Sequence, residues 1–286
     1  MVAKRPTRVI SAQMTDATKG AAFPPMGERR FGRVNWRGLW TLYAREVRRF
    51  FKVWAQTLVA PVITAGLFMA VFTLALAERR GDVAGLPFAA FLAPGIVMMA
   101  VIQNAFANAS SSITSAKVQG NIVDVLMPPL SPGELTAAYA LGGVTRGLTV
   151  AALSILLIFP FIGLGVEKPL WTAFFAFTGA LILALVGTMG GVWAEKFDHI
   201  STVTNFVITP LSFLSGTFYL VDELPAPWDA ISRWNPVHYM IDGFRYGVLG
   251  TAERDPWIGA AVLTALAVAL WWACLRMLAS GYRLKS

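Results

Sequence analysis

Polar side chains recur at helical spacing along two otherwise apolar stretches of the chain, and they could hydrogen-bond a ligand or one another. The residues are Gln103, Asn104, Asn108 and Ser112 in the first stretch and Asn205, Thr209 and Ser212 in the second. Such stripes are costly against lipid, so both are predicted to face protein or a hydrated path. Hydrogen bonding between helices, which requires no function, is the alternative interpretation.

Residues that could carry catalysis are few. The only histidines are His199 and His238, and neither a His-Glu-x-x-His nor a Gly-x-Ser-x-Gly pattern occurs. The chain also lacks the Gly-x-x-x-x-Gly-Lys-[Ser/Thr] loop that cradles phosphates. We therefore predict no catalytic, cofactor-binding or metal-binding residue on this chain and do not favour a membrane-embedded enzyme.

Six long apolar stretches must position the polar residues. They are predicted at residues 54–77, 88–113, 137–164, 170–194, 200–220 and 257–280. Each is long enough to cross a hydrocarbon core of about 30 Å as an α-helix. Hydrophobic residues make up 56% of the chain and charged residues 14%, unlike an ordinary soluble domain. Because the stretches lack the alternation of barrel strands, the predicted fold class is an all-α polytopic membrane protein with six transmembrane helices.

Positive charge is concentrated before the first stretch. Residues 1–53 contain 12 Lys and Arg against three acids, whereas the remaining residues sum to a charge of −1. This clustering is typical of a cytoplasmic segment beside a membrane span, and it explains the basic charge better than a nucleic-acid partner does. We therefore predict a multi-pass protein of the plasma membrane with both termini, including residues 281–286, in the cytoplasm and no nucleic-acid partner.

The basic N-terminal region divides into two segments. Residues 1–32 have no apolar periodicity and predict a disordered cytoplasmic tail. Residues 33–53 predict an amphipathic helix in the membrane surface, with its apolar face at the acyl boundary and its arginines at anionic headgroups. A soluble helix packed on a cytoplasmic partner is the alternative. The candidate membrane-surface residues are Trp36, Trp40, Arg45, Arg48 and Arg49.

The connection between the second and third stretches, at about 118–129, predicts a short helix that prolines end abruptly. Held between two spans on the cytoplasmic side, it would form a small docking knob, and a surface turn without a partner is the alternative. The candidate docking residues are Gly120, Asn121, Ile122, Val123, Asp124, Leu126, Met127 and Pro128.

The segment after the fifth stretch, at about 221–256, predicts two short helices broken at Asn235-Pro236. They are too short to span, so we expect re-entrant helices that dip into the outer leaflet and close the bundle. Asn235, Pro236, Gly243, Phe244 and Arg245 are the residues of this outer motif. We expect a structural role for His238.

Arg146 lies about nine residues into the third stretch. We predict that this helix projects into the cytoplasm and that the side chain snorkels to the interface. A buried functional charge is the alternative.

Three stretches together resemble the permease subunits of ABC-2 type exporters. They are 91–95 (Phe-Leu-Ala-Pro-Gly), 121–132 (Asn-Ile-Val-Asp-Val-Leu-Met-Pro-Pro-Leu-Ser-Pro) and 235–247 (Asn-Pro-Val-His-Tyr-Met-Ile-Asp-Gly-Phe-Arg-Tyr-Gly). Their order is most similar to that of the drug and multidrug permeases and nodulation-factor exporters, although the N-terminal tail here is longer. The resemblance implies that 33–53 is a connecting helix, 118–129 a coupling helix inserted into an ATPase, and 54–280 a six-helix transmembrane domain.

The same resemblance implies the partners. They are two copies of an ABC ATPase that bind ATP and Mg, a second permease subunit, identical or paralogous, and membrane lipid in a bacterial inner membrane. The first and fifth spans would line the path shared by the two permeases. A self-powered secondary transporter or channel is the alternative, but the span interiors contain no acid for ion coupling.

Overall fold

The computed structural model describes residues 32, 34–83, 85–221, 225, 228, 232 and 234–284, without the side chains of 76–80. The predicted tail, except residue 32, and much of the outer segment before residue 235 lie outside these residues. The described residues are almost entirely helical, and in them the only bridge of strand type joins Val83 to Leu86.

Prolines and polar caps set many of the helix boundaries. Pro132, Pro169, Pro236 and Pro256 each begin a helix, where a missing N–H costs nothing. In chain order the helices are α1 (Trp36–Lys52), α2 (Ala60–Arg80), α3 (Phe88–Val118), α4 (Ile122–Leu126), α5 (Pro132–Ile162), α6 (Pro169–Trp193), α7 (Phe197–Val203), α8 (Thr209–Phe213), α9 (Pro236–Leu249) and α10 (Pro256–Ala279), with π-helical segments at Ala55–Val59 and Thr204–Ile208.

Among the described residues, five helices are long and apolar enough to cross a membrane: α2 together with the π-helical segment before it, α3, α5, α6 and α10. The all-α multi-pass fold is thereby confirmed, but the count of six spans is not. The predicted fifth span at 200–220 is a helical stretch of seven, five and five residues that ends at Phe213. At 1.5 Å per residue it reaches about 26 Å, which is short of a full hydrocarbon core.

Helix α3 is the centre of the bundle. In its most apolar 18-residue window 83% of the residues are buried, against 22% in the first and last spans. Paired glycines let α5 and α6 approach it: a side chain at Gly143 would come within 2.9 Å of the Ala105 carbonyl, and one at Gly187 within 2.5 Å of the Phe106 carbonyl. Each of the two has a second glycine four residues later, Gly147 on α5 and Gly191 on α6. Such pairs are a common packing device between helices in lipid, where hydrophobic burial supplies no net attraction.

The N-terminal ends of α1 and α5 are joined by two linked caps. Asn35 caps α1 by accepting a hydrogen bond from the Gly38 N–H, and Ser131 and Glu134 form a reciprocal capping box at the start of α5. Glu134 also accepts a hydrogen bond from the Asn35 N–H. The first turn of α1 is therefore bound directly to the first turn of α5.

Candidate functional site

A buried carboxylate joins α1 to α3. The side chain of Glu46 is fully buried, and its Oε1 accepts hydrogen bonds from Ser112 Oγ at 2.7 Å and from Arg45 Nη2 at 3.2 Å. Its Oε2 lies 3.4 Å from Arg49 Nη2. A charge removed from water persists only with such partners, so Glu46 determines where α1 sits.

Arg49 extends the same cluster along α3. Its Nη2 donates to the Asn108 carbonyl at 2.7 Å and to Asn108 Oδ1 at 3.2 Å, and its Nη1 donates to Ser111 Oγ at 3.2 Å. Arg45 and Arg49 therefore donate to protein groups, while 46% and 35% of their side chains stay exposed, so their contact with lipid headgroups stays a prediction. The buried carboxylate of Glu46, next to Arg45 in the sequence and one helix turn before Arg49, attracts both guanidinium groups.

The other candidate membrane-surface residues lie on the outside of α1. Trp36 and Trp40 are exposed, as is Arg48, whose Nε donates to the Ala44 carbonyl at 3.3 Å. Leu42 and Phe50 form the buried side of the helix. Contact of this exposed face with lipid headgroups stays a prediction.

Arg146 is half-buried and directed at α3. Its Nη2 donates to Asn104 Oδ1 at 2.8 Å, while Asn104 Nδ2 donates to the Ala100 carbonyl at 2.9 Å. This placement differs from the snorkelling that we predicted, because the amide of Asn104 offers an acceptor within reach. Asn104 and Gln103 also line a groove of about 310 Å³ between α2 and α3.

The second polar set does not share one environment. Asn205 is exposed, Thr209 is half-buried, and Ser212 is fully buried with its hydroxyl donating to the Ile208 carbonyl at 2.7 Å. The π-helical segment Thr204–Ile208 adds a residue to the turn and so rotates the side chains after it away from a regular stripe. The seven predicted polar residues therefore do not converge on one site in a single chain.

Aromatic contacts nevertheless place the first span beside the predicted fifth span. The ring of Phe68 on α2 lies 6.4 Å from that of Phe213, and the ring of Phe72 lies 4.6 Å from that of Phe218. Exposed apolar side chains continue on this side of the molecule at Phe206.

Helix α4 follows the C-terminal end of α3 and forms a short exposed knob. Gly120, at φ +74°, reverses the chain after α3 in a conformation that other residues avoid. Ile122 and Val125 are buried and anchor the helix, whereas Met127 is 75% exposed. The exposed side chains of the knob and its flanks include Asn121, Val123, Asp124, Leu126, Met127 and Pro128.

The outer motif is held by several hydrogen bonds and by close packing. Asn235 caps α9 by accepting a hydrogen bond from the Val237 N–H at 3.0 Å, and its Nδ2 donates to the Leu211 carbonyl at 3.1 Å and to Ser215 Oγ at 2.6 Å. Pro236 is the first residue of α9, Phe244 is fully buried, and a side chain at Gly243 would meet the Phe175 ring.

Arg245 lies at the centre of this motif. It donates to Glu253 Oε1 at 3.2 Å and to the Gly216 carbonyl at 2.7 Å, and its guanidinium stacks 3.9 Å from the centre of the Phe91 ring. The carboxylate of Asp242 accepts hydrogen bonds from the backbone N–H groups of Glu253 and Arg254. Sequence reasoning missed the two acids, although Asp242 and Arg245 stand one helix turn apart.

His238 belongs to the same buried layer. Its Nδ1 lies 3.3 Å from the Ser215 carbonyl, and burial lowers the pKa of the imidazole below its ordinary value. A neutral, packed histidine agrees with the structural role predicted for it.

Sequence comparison identifies relatives of the chain. Residues 37–249 match the family described as ABC-2 type transporter. The chain is 39% identical to the inner membrane transport permease YadH of Escherichia coli K12 over 251 residues, which is 88% of this chain and 98% of that protein. It is 28% identical to nodulation protein J of Rhizobium leguminosarum bv. trifolii over 243 residues, 78% of this chain and 85% of that protein. Nodulation protein J of R. leguminosarum bv. viciae is 26% identical over 226 residues, 77% and 84% of the two chains.

Proposed function

Because the chain belongs to the ABC-2 type transporter family and is a membrane transport permease, we propose that it couples to a separate ATPase subunit and exports its substrate. The family match covers the part of the chain that carries the connecting helix, the knob and the outer motif. The resemblance stated from the sequence, including the nodulation-protein branch, is confirmed by these relatives.

The exposed knob α4 is the observation that carries the coupling proposal. Val123 and Met127 expose apolar side chains where the bundle otherwise ends, while Ile122 and Val125 bind the knob to the core. Exposed apolar groups on a rigid element favour a protein partner. Since the chain has no phosphate-binding loop, ATP and Mg would bind to that partner.

The anchors of the knob give a route for movement. Ile122 and Val125 belong to a buried cluster that includes Leu42 of α1 and Tyr139 of α5. We propose that two ATPase subunits close on ATP and displace the knob, so that α1 and α5 tilt with it as a hinged unit. The basic N-terminal segment and the knob would both lie in the cytoplasm of a bacterium, with the permease in the inner membrane.

A second permease subunit would complete the path. The face that carries α2 and residues 205–207 exposes Asn205 next to large apolar side chains such as Phe206. An exposed amide in a span is costly against lipid, so we propose that an identical or paralogous subunit, or the hydrated path itself, covers it.

The test is affinity purification of the tagged full chain from its native membranes in mild detergent. We expect a stoichiometric subunit with a phosphate-binding loop and ATP hydrolysis that vanadate blocks. Met127→Asp should reduce capture of this subunit at least about tenfold, because it puts a charge into an apolar contact.

Phe197→Asp is the matched control, since Phe197 is also exposed and begins α7 in the other connection that we place in the cytoplasm. A chain that purifies alone and hydrolyses nothing would favour a secondary transporter or channel. Equal loss of capture in both variants would contradict the assignment of the knob as the docking site.

A further inference from the structure

We propose that Arg146, together with the donors of Asn108 on α3 and Arg49 on α1, binds the anionic group of the transported molecule, so that the substrates are amphiphiles with a phosphate, sulfate or carboxylate group. The proposal rests on the proposed function, because it assigns the substrate class of that permease. The proposed binding site consists of the polar side chains that join α1, α3 and α5.

The charge of this region is not balanced. Three guanidinium groups, of Arg45, Arg49 and Arg146, meet one carboxylate, of Glu46, in the part of the chain that the structure describes. Of these three arginines, Glu46 pairs with Arg45 and Arg49, and the partner of Arg146 is the neutral amide of Asn104. A cation held inside a membrane protein without an anion is costly, and its usual explanation is a functional ligand or path.

The hydrogen-bonding groups of the region are also unbalanced. Arg146 Nε, Asn108 Nδ2 and Arg49 Nε are buried N–H donors that have no acceptor among the described residues. One acceptor, Glu46 Oε2, lacks a hydrogen bond, but it lies in the ion pair with Arg49. A surplus of donors calls for a ligand rich in acceptors, and anionic oxygens form the strongest hydrogen bonds to guanidinium groups.

One member of the arrangement, Asn104, borders an open groove. Asn104, which accepts the hydrogen bond from Arg146, lines the groove between α2 and α3 together with Gln56, Thr64 and Phe68. This groove combines amide and hydroxyl groups with an apolar wall. An amphiphile could place its apolar part along α2 and its anion at Asn104, where the anion would replace the amide as the partner of Arg146.

The test is binding of radiolabelled dodecyl phosphate to the purified full chain in phosphatidylcholine nanodiscs, with empty nanodiscs as background. Dodecylphosphocholine, which has the same chain but no net charge, is the matched probe. We expect dodecyl phosphate to bind at least about tenfold more tightly, because only it offers the guanidinium an uncompensated anion. Equal binding of the two probes would overturn the proposal.

Variants locate the binding. Arg146→Gln should remove the preference for dodecyl phosphate and Arg146→Lys should keep most of it, whereas Arg276→Gln, which alters an exposed arginine of α10, should change nothing. Asn104→Asp offers an internal carboxylate to Arg146 and should also abolish the preference, which keeps the test decisive if Arg146→Gln fails to fold. Equal loss in Arg276→Gln, or an unchanged preference in Asn104→Asp, would contradict the assignment.

A resident phospholipid could present the same chemistry. If phosphatidylglycerol in the nanodisc competes with dodecyl phosphate, the site belongs to a bound lipid and the substrate assignment is wrong; unchanged binding supports it. These measurements need no ATPase. A failed partner capture would therefore refute the exporter proposal alone, and failed probe binding would refute the anionic substrate alone.

Discussion

Two inward-facing arginines, Arg146 on α5 and Arg245 on α9, are satisfied in different ways. Arg245 has the carboxylate of Glu253 at 3.2 Å, that of Asp242 at 4.0 Å and a backbone carbonyl at 2.7 Å. Arg146 has one neutral amide. Arg245 is therefore paired with acids inside the fold, whereas Arg146 is the arginine that we propose for a ligand, although both would look alike in a list of polar residues within a membrane protein.

The largest loss of stability is expected when Arg245 is replaced. Arg245→Ala leaves Asp242 and Glu253 without their guanidinium, and removing one partner of a buried ion pair costs about 3–5 kcal/mol. We expect loss of monodisperse protein or a strongly lowered thermal midpoint in detergent, measured by fluorescence-detected size exclusion. Arg276→Ala, at an exposed arginine, is the control; a normal elution profile for Arg245→Ala would remove the distinction between the two arginines.

Glu46→Gln should lower the stability of the fold by an intermediate amount. The substitution keeps the shape and one acceptor but leaves Arg45 and Arg49 without an anion, which we expect to cost about 1–3 kcal/mol. The same unfolding measurement would show it, together with easier proteolysis of α1. If Glu46→Gln were as stable as the natural chain, α1 would be held mainly by Leu42 and Phe50, and the cluster would not determine its position.

A smaller, pH-dependent effect is expected at His238. Because its pKa is lowered in the folded chain, the unfolded chain binds more protons between the folded value and about 6.5, the ordinary value. Stability from the neutral imidazole is therefore full above about pH 6.5 and falls as the pH drops through that window. Thermal unfolding from pH 7.5 to 5 should be less pH-dependent in His238→Asn; equal slopes would show that other groups cause the dependence.

The smallest effect on stability is expected at Arg146. Arg146→Gln can still donate to Asn104 and removes a poorly compensated charge. The free energy of unfolding should therefore change by less than about 1 kcal/mol. The variant should differ from the natural chain only in ligand binding. A loss of stability as large as that of Arg245→Ala would make Arg146 a structural residue and contradict its assignment to a ligand.

The sequence predicted well whatever depends on local chemistry. Apolar length predicted six spans, five of which the described helices confirm, and Asn235-Pro236 located the start of the outer helix α9. The family resemblance was visible for the same reason, since its motifs are short and contiguous. Glycines four residues apart on α5 and α6 were an available signal for tight packing on α3 that was not used.

The predictions that missed concern groups distant in sequence. Asn104 and Arg146, and Glu46 and Ser112, are joined across 42 and 66 positions, and helix periodicity cannot show which neighbour a side chain will meet. The π-helical segment at 204–208 likewise rotates Ser212 away from the stripe expected from a regular helix.

By itself, therefore, the sequence determined that this protein is a helical membrane permease of a recognisable family, because lipid permits few backbone structures and apolar length records them directly. Only the tertiary structure decided which charges are paired. Interior side chains take their partners from adjacent helices, and these partners are chosen by packing.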